Sequence, residues 1–475
     1  MRSFTNVFFR EQLHVHLYFL LLLSLAIFFA YERIINSDAA FYLFKLIHFE
    51  TFNIEHGRYS AFISQLLILP FIKLNINLKA LVFIYSISFV LFFYLVYLLI
   101  SRGLNDRSSA LTLIFVLVVG FVHPHYRPVS ESTQGLAYAL ILPGILKSNY
   151  LFTKKNKILF PKYFTAFIII LLCFFSHPIT LFPLGFILAH YLINKPRSFK
   201  DPLPWFLIFA LIVVFLFKTI LGTGSSYEEN ILTNISSFKT GLKNFFELYP
   251  TRYFFRRWDT IYLIPLVLFT VTNIYYLIKR KYLKALLLIF SSLVFFIIHN
   301  LVYNQGGSSI ELEKNYMTLN LFIFFTFFHD LYPSIKPKTI KIAVLFIPLL
   351  LSPSYILRSA KTYENRIEYL GALSKALKHE EGKKFYTASE NIDQDKILFL
   401  WGVPFETLLY SSLEGPEHSN TLYPFENIKK LPDYIQNPDL FLCTTFWPKW
   451  DVNSLNEHYF RLPSEPYKYF NPDLK

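Results

Sequence analysis

The sequence predicts an all-α polytopic membrane protein that carries a small soluble α/β domain at its C-terminal end. Of the 475 residues, 54% are hydrophobic and 16% are charged, and the mean hydropathy is +0.39. An ordinary soluble domain has roughly 25% charged residues. Apolar stretches of a length that suits a bilayer span recur from Leu13 to Leu357, and none follows. The lipid-adapted part of the chain therefore ends near residue 357.

The charge distribution divides the chain at the same place. From Arg358 onward there are 14 Lys and Arg residues against 17 Asp and Glu residues, a net charge of −3, which leaves +17 on the first 357 residues. The basic residues there form short clusters between apolar stretches and no basic face, which argues against a nucleic-acid partner. We predict a membrane domain over 1–357 and an outer soluble domain over 358–475.

Apolar stretches separated by polar or basic connections predict about eleven transmembrane helices. The predicted spans are 13–31, 79–100, 109–122, 134–152, 161–176, 179–194, 203–221, 260–278, 283–303, 317–333 and 340–357.

The basic clusters also predict the orientation in the membrane. With the N-terminus in the cytoplasm, every compact Lys/Arg cluster falls on the inner side, as the positive-inside rule requires. An odd number of crossings then places the C-terminal domain in the periplasm or outside the cell. We expect a multi-pass protein of the inner (plasma) membrane.

The alternation of basic clusters holds only if the apolar segment 59–74 does not cross the membrane. Gln65, Pro70 and Lys73 interrupt this segment, and its short apolar length suits an interfacial or re-entrant helix. The first outer loop, 31–78, is therefore expected to contain membrane-lying helices. In the soluble domain, residues 366–379 predict a helix, and the runs KILFLWGV and DLFLCTTF predict strands.

The first outer loop holds the main candidate for chemistry. Asp38, in INSDAAFY, follows the first helix closely, so its carboxylate is placed near the bilayer surface. A helix cap formed by Asn36, Ser37 or Asp38 is an equally good interpretation. In the same loop the segment EHGRYS offers Glu55 and Arg58 as substrate-binding candidates.

The second outer loop contains HPHYRPVSES and supplies a second carboxylate, Glu131, with His123, His125 and Arg127 nearby. His-x-His could bind zinc, but no third ligand is evident. Glu131 could hold a divalent cation, assist Asp38, or cap the helix that it precedes.

Two further groups are candidates for binding a phosphate. His177 lies between two apolar stretches, where a histidine is costly unless it is used or satisfied. Arg252, Arg256 and Arg257, which we call the outer Arg group, lie outside, against the usual charge bias. Arginine binds phosphate through paired hydrogen bonds, although anchoring to anionic lipid headgroups explains the group equally simply.

These features resemble the GT-C superfamily of polyprenyl-phosphate-dependent glycosyltransferases, which includes protein mannosyltransferases and the lipid A aminoarabinose transferase. The resemblance is architectural: a catalytic acid shortly after helix 1, which Asp38 matches; membrane-lying helices in that loop; a second acid in the next outer loop, which Glu131 matches; and a soluble outer domain. An adjacent pair of acids after helix 1 and a DxD motif in loop two are missing here.

The resemblance implies an integral membrane glycosyltransferase that uses a polyprenyl-phosphate-linked sugar on the outer face of the membrane. Transfer would be inverting, to a lipid, glycan or protein acceptor, with Asp38 as the general base and membrane lipids around the site. A divalent cation is an open question. The alternatives are a transporter or flippase of a lipid-linked substrate and a non-catalytic protein of surface-polymer assembly.

Overall fold

The computed structural model of the chain describes residues 2–147, 160–195, 200, 202–220, 238–303, 309–428, 431–444 and 449–472. Regular structure is helical up to residue 378, and all strands follow it. The predicted end of the fourth span, residues 148–152, lies outside the described residues, as does much of the third outer loop, at 221–237.

The helices of the first half of the chain alternate between long apolar helices and short connecting ones. They are α1 Arg2–Phe28, α2 Ala30–Ile34, α3 Ser37–Phe49, α4 Phe62–Gln65, α5 Leu69–Lys73, α6 Leu78–Leu98, α7 Arg107–Val118, α8 Glu131–Ala139, α9 Leu142–Lys147, α10 Phe160–Phe174, α11 Leu181–Asn194 and α12 Pro202–Ile220.

The second half continues the bundle and then changes character. Its helices are α13 Phe238–Lys243, α14 Tyr249–Arg256, α15 Leu263–Ile278, α16 Tyr282–Val302, α17 Ser309–Thr326, α18 Lys338–Lys378, α19 Gln394–Ile397 and α20 Val403–Ser411. The strands are β1 Lys384–Ala388, β2 Thr421–Phe425, β3 Leu440–Leu442, β4 Lys449–Asp451 and β5 Lys468–Tyr469.

The C-terminal region contains two small sheets. Strands β2, β1 and β5 form a parallel sheet in that order, with Lys384 opposite Thr421, and β3 pairs with β4 in antiparallel fashion. The prediction of a small sheet-containing C-terminal region is confirmed. DLFLCTTF contains β3, whereas the predicted strand KILFLWGV is wrong, because these residues form α19, a 3-10 turn and the start of α20.

Three helices of the described chain are long and apolar enough to cross a membrane: Leu78–Gly103, Tyr282–Val302 and Lys338–Lys378. Large apolar side chains such as Phe209, Leu283 and Leu350 are exposed on the outside of the bundle, which suits contact with lipid. The described chain also has apolar helical segments of 10–17 residues, among them Leu13–Phe28 and Leu263–Ile278. The count of about eleven crossings is therefore not confirmed.

Helix α18 joins the two parts of the chain without interruption. It runs for 41 residues through Pro348 and Pro353 and passes Leu357, where we expected the membrane domain to end. Its last turns carry buried apolar residues, including Leu370 and Leu373, that pack with β1 and α20. The helix predicted at 366–379 is thus the continuation of the last apolar helix.

The first outer loop packs against the C-terminal region. The segment 59–74 contains only a 3-10 turn and the short helices α4 and α5. Helix α3 is buried along almost its whole length, and Phe44 packs against Phe441 and Phe460 in a core shared with α6. Because α3 carries Asp38, this core fixes the position of the main candidate residue.

Candidate functional site

One face of α3 carries three polar side chains. Asp38, Tyr42 and Lys45 are separated by four and three residues, a spacing that places them on the same side of a helix. Each side chain contacts a charged residue from another segment. The partners are, in the same order, Arg127, Glu131 and Glu55. The face therefore gathers residues from both of the first two outer loops.

Asp38 forms an ion pair at the outer side of this face. Its side chain is 42% exposed, and its Oδ2 atom accepts a hydrogen bond from Arg127 Nη2 at 2.9 Å. Helix α3 begins at Ser37, and Asn36 in the N-cap position makes no side-chain capping bond. Asp38 therefore lies inside the first helical turn, where the helix dipole favours a carboxylate, and is not the N-cap.

Glu131 is held more firmly than Asp38. It is 7% exposed, and its two oxygens accept hydrogen bonds from the Tyr42 hydroxyl at 2.6 Å and from Arg58 Nη1 at 3.2 Å. Burial opposes its ionisation, but Arg58 and Tyr42 outweigh burial and hold the pKa of Glu131 below its usual value. The cap of α8 is Ser130, which accepts from Thr133 N. Glu131 thus fits a positioning role better than that of a free base.

Four residues around Asp38 were not found by sequence reasoning, namely Tyr42 and Lys45 on α3 and Glu311 and Lys314 on α17. Lys314 and Glu311 lie at the start of α17, and electrostatic interactions link both of them to Asp38 and Arg127. Lys314 is buried and donates a hydrogen bond to the Val129 carbonyl at 2.8 Å. The sequence signal that could have identified Glu311 and Lys314 is ELEK, which directly precedes an apolar stretch and lies on the same predicted outer side of the membrane as Asp38.

Burial shifts the pKa of both Glu311 and Lys314. Burial, followed by the neighbouring Arg127 guanidinium, lowers the pKa of Lys314 to about 8, which leaves it mostly charged at neutral pH. Burial raises the pKa of the Glu311 carboxyl, and Arg127 and Lys314 only partly oppose this. The cations Arg58, Arg127 and Lys314 lie near Asp38 and Glu131, and the raised pKa of Glu311 weakens the negative charge that its carboxyl adds to them.

Arg127 also faces a cavity of about 90 Å³ inside the helix bundle. The wall is mostly apolar and includes Phe19, Phe89 and Met317, whereas Arg127 and His125 contribute polar atoms. Within the described residues, neither Arg127 Nη1 nor His125 Nε2 has a hydrogen-bond partner, although both atoms are buried. Arg127 is 5% exposed, so this unsatisfied donor points to a ligand that carries an acceptor.

The histidines of the second outer loop do not converge. His123 Nδ1 lies 3.3 Å from the Tyr363 hydroxyl, whereas His125 lines the cavity. Burial lowers the pKa of both rings. His177 Nδ1 accepts a hydrogen bond from Ile179 N at 3.2 Å and so caps the following 3-10 turn. The structure therefore gives His177 a local structural role.

Arg252 and Arg256 of the outer Arg group lie on α14, and Arg257 follows its last residue. Its members are exposed, as are the neighbouring aromatic residues Phe255 and Trp258. Arg257 lies over the Tyr253 ring at 6.0 Å and interacts electrostatically with His123. Exposed arginines beside aromatic rings are typical of the membrane interface. Contact with a lipid phosphate remains a prediction for this group.

Glu55 and Arg58 both take part in ion pairs around α3. Glu55 pairs with Lys45, which is buried, and Arg58 pairs with Glu131. Glu55 therefore neutralises a buried cation, and Arg58 neutralises a buried carboxylate. Of the sequence-based candidates, the structure brings two pairs into direct contact, Asp38 with Arg127 and Glu131 with Arg58.

The carboxylates of this cluster do not fit a metal site. In the described part of the chain, no three His, Cys, Asp or Glu side chains form a group that could hold a metal ion. Asp38 and Glu131 each face an arginine, and a cationic neighbour opposes metal binding. Arg127 and Lys314 supply positive charge at the place where a metal cation would otherwise be needed.

No family model matches the chain, and no curated protein or solved structure matches it either. The architectural resemblance described above therefore enters the assignment of function only as a proposal.

Proposed function

We propose that the chain is an integral membrane glycosyltransferase that takes its sugar from a polyprenyl-phosphate donor and transfers it on the outer face of the membrane. One observation carries this proposal: Arg127 lies between an exposed carboxylate and an apolar cavity. One of its nitrogens pairs with Asp38, and another is buried without a partner among the described residues. A phosphate head satisfies the donor, and the apolar cavity of about 90 Å³ takes only a short part of an apolar tail.

In the proposed reaction, Asp38 acts as the general base. The acceptor hydroxyl oxygen attacks C1 of the sugar and its proton passes to the Asp38 carboxylate. The C1–O bond to the phosphate breaks, so that polyprenyl phosphate leaves with the electron pair. Arg127 and Lys314 stabilise the charge that develops on the phosphate, because fixed cations cost no reorganisation in the transition state.

Binding of a lipid phosphate tests the proposal without any knowledge of the donor sugar. The probes are a fluorescent polyprenyl phosphate and the matching polyprenol, which lacks the phosphate, each titrated against the full chain in detergent. We expect the phosphate form to bind at least about tenfold more tightly, and Arg127→Gln to remove most of this difference. Arg461→Gln, which changes an exposed arginine of the C-terminal region, is the matched control. Equal binding of both probes by the unmodified protein would contradict the proposal.

A second buried cluster favours the alternative of a transporter or flippase. Asp330 lies in a π-helical turn, 327–331, where His190 Nε2, the Tyr276 hydroxyl and Lys284 Nζ approach its carboxylate at 2.7, 2.6 and 2.7 Å. Ionisable residues within membrane helices often serve proton or ion pathways, and π-helical turns are frequent at functional sites.

The two functions make opposite demands on these carboxylates. A transporter that couples to protons through the second cluster should lose activity on Asp330→Asn and tolerate Asp38→Asn. A transferase should show the reverse, provided that Asp330→Asn remains folded. Uptake or flipping of a fluorescent polyprenyl phosphate in proteoliposomes, with each variant in turn, separates the two. We favour the transferase because the groups around Asp330 already satisfy one another.

A further inference from the structure

The turn that precedes Asp38 has an unusual backbone conformation. Ser37 has a φ angle of +43°, in the left-handed region, which costs a residue other than glycine about 1 kcal/mol or more. Such a conformation persists only when its surroundings fix it. Because Ser37 and Asp38 are adjacent, whatever holds Ser37 also sets the direction of the Asp38 side chain.

The groups that hold this turn come from beyond residue 357. Ser37 N donates a hydrogen bond to Glu406 Oε1 at 2.5 Å, and the Ile35 carbonyl accepts one from Arg366 Nη1 at 2.5 Å. Both bonds are buried. Glu406 belongs to α20 and Arg366 to the late turns of α18, so the C-terminal region fixes the backbone on the Asp38 side of the site.

Arg366 and Glu406 form a fully buried ion pair, with each residue 0% exposed. Arg366 has a third bond, from Nε to the Ile397 carbonyl at 3.1 Å. A buried ion pair is a weak source of stability, because desolvation offsets most of the attraction. Its hydrogen bonds to two separate backbone turns point to a role in positioning.

The second of these turns leads to the other half of the site. Leu398 follows Ile397 and is also left-handed, with φ +68°. Phe399 comes next, and its ring lies 4.7 Å from the Arg127 guanidinium carbon, a cation–π distance. Arg366 therefore anchors the turn before Asp38 and also the turn that brings Phe399 onto the arginine paired with Asp38.

We propose that Arg366 and Glu406 are positioning residues through which the C-terminal domain completes the site. The pair holds the turns at Ser37 and Leu398 together, so that Asp38 and Arg127 face each other only when the domain is docked. The role in transfer rests on the proposed function, in which Asp38 is the base. The positioning of Asp38 by Glu406 is a separate claim, which can be measured without any transfer assay.

A cysteine at position 38 reports this positioning directly. The full chain with Asp38→Cys is treated with a membrane-impermeant maleimide, and the two native cysteines, Cys173 and Cys443, are buried. Adding Glu406→Gln should change the labelling rate of position 38 by about threefold or more, because the turn is released. Glu414→Gln is the matched control, since Glu414 lies in the same domain and forms an exposed pair with Lys79.

A second variant avoids leaving a buried charge without a partner. Glu406→Asp keeps the charge for Arg366 but is shorter by one methylene, so it cannot reach Arg366 and Ser37 N together. We expect Glu406→Asp to fold and to show the altered labelling at position 38. Unchanged labelling in this folded variant would overturn the positioning role, whatever the activity.

A rescue substitution at Ser37 tests the positioning role through transfer activity. Glycine adopts a positive φ without strain, so Ser37→Gly should leave transfer unchanged in the parent and restore at least part of the transfer lost in Glu406→Asp. A purely structural ion pair predicts no recovery. If labelling changes as expected but Asp38→Asn retains full transfer activity, the proposed function fails while the positioning of residue 38 stands.

Discussion

Replacing Asp38 by asparagine is the sharpest test of the proposed chemistry, because the structure separates its effect on folding from its effect on reaction. The asparagine keeps the size of the side chain and can still accept a hydrogen bond from Arg127, but it cannot accept a proton at neutral pH. The Asp38 side chain is 42% exposed, but its partner Arg127 is buried, so the loss of this half-buried pair costs more than the roughly 0.2–1 kcal/mol of an exposed ion pair. The first-turn charge contributes about 0.3–1 kcal/mol more.

The expected loss of stability is therefore roughly 1–3 kcal/mol, between the values for an exposed and a buried ion pair. Loss of a general base instead slows a reaction by roughly 100- to 10,000-fold, which corresponds to about 3–5 kcal/mol on the barrier. We expect Asp38→Asn to be folded, inserted in the membrane and nearly inactive. The loss of activity and the loss of stability can therefore be measured separately.

The assay is transfer of a labelled sugar from a polyprenyl-phosphate donor by purified protein, with thermal unfolding in the same detergent as the folding control. The matched control is Asp259→Asn, because Asp259 is an exposed acid beside the outer Arg group. If Asp38→Asn transfers sugar at a rate within about threefold of the parent, the change is too small for the loss of a general base. That result would make Asp38 structural and remove the main support for a transferase.

Three further predictions concern Glu131, Lys314 and the orientation of the chain in the membrane. Glu131→Gln keeps an acceptor for the Tyr42 hydroxyl but leaves Arg58 without its counter-charge, so we expect lower thermal stability and a smaller loss of transfer than for Asp38→Asn. Because burial lowers the pKa of Lys314 to about 8, its charge is lost as pH rises through that value; transfer should then fall, and Lys314→Arg should keep the plateau to higher pH. An identical pH profile in the parent and in Lys314→Arg would exclude a role for the Lys314 charge in transfer. Glu381→Cys should be labelled by an impermeant maleimide on intact cells, and Lys279→Cys only after permeabilisation; labelling of both from one side would refute the predicted orientation.

The sequence by itself determined the broad class of this protein. Apolar stretches and the scarcity of charge predict helices for lipid, because every backbone polar group in a bilayer must be bonded within its own segment. The clustering of basic residues and the acidic tail predicted a boundary near residue 357, whereas helix α18 continues to Lys378. Asp38 and Arg127 were singled out from their position outside the apolar stretches, and they form a direct ion pair in the structure.

Only the tertiary structure decided which residues share a site. The interactions that tie Asp38 and Arg127 to Lys314, Phe399 and Glu406 bridge segments hundreds of positions apart, and local patterns in a sequence carry no information on such contacts. KILFLWGV was predicted to be a strand because short apolar runs look alike in helices and strands. The left-handed turn at Ser37 is likewise imposed by distant hydrogen bonds, since serine has no preference of its own for that conformation.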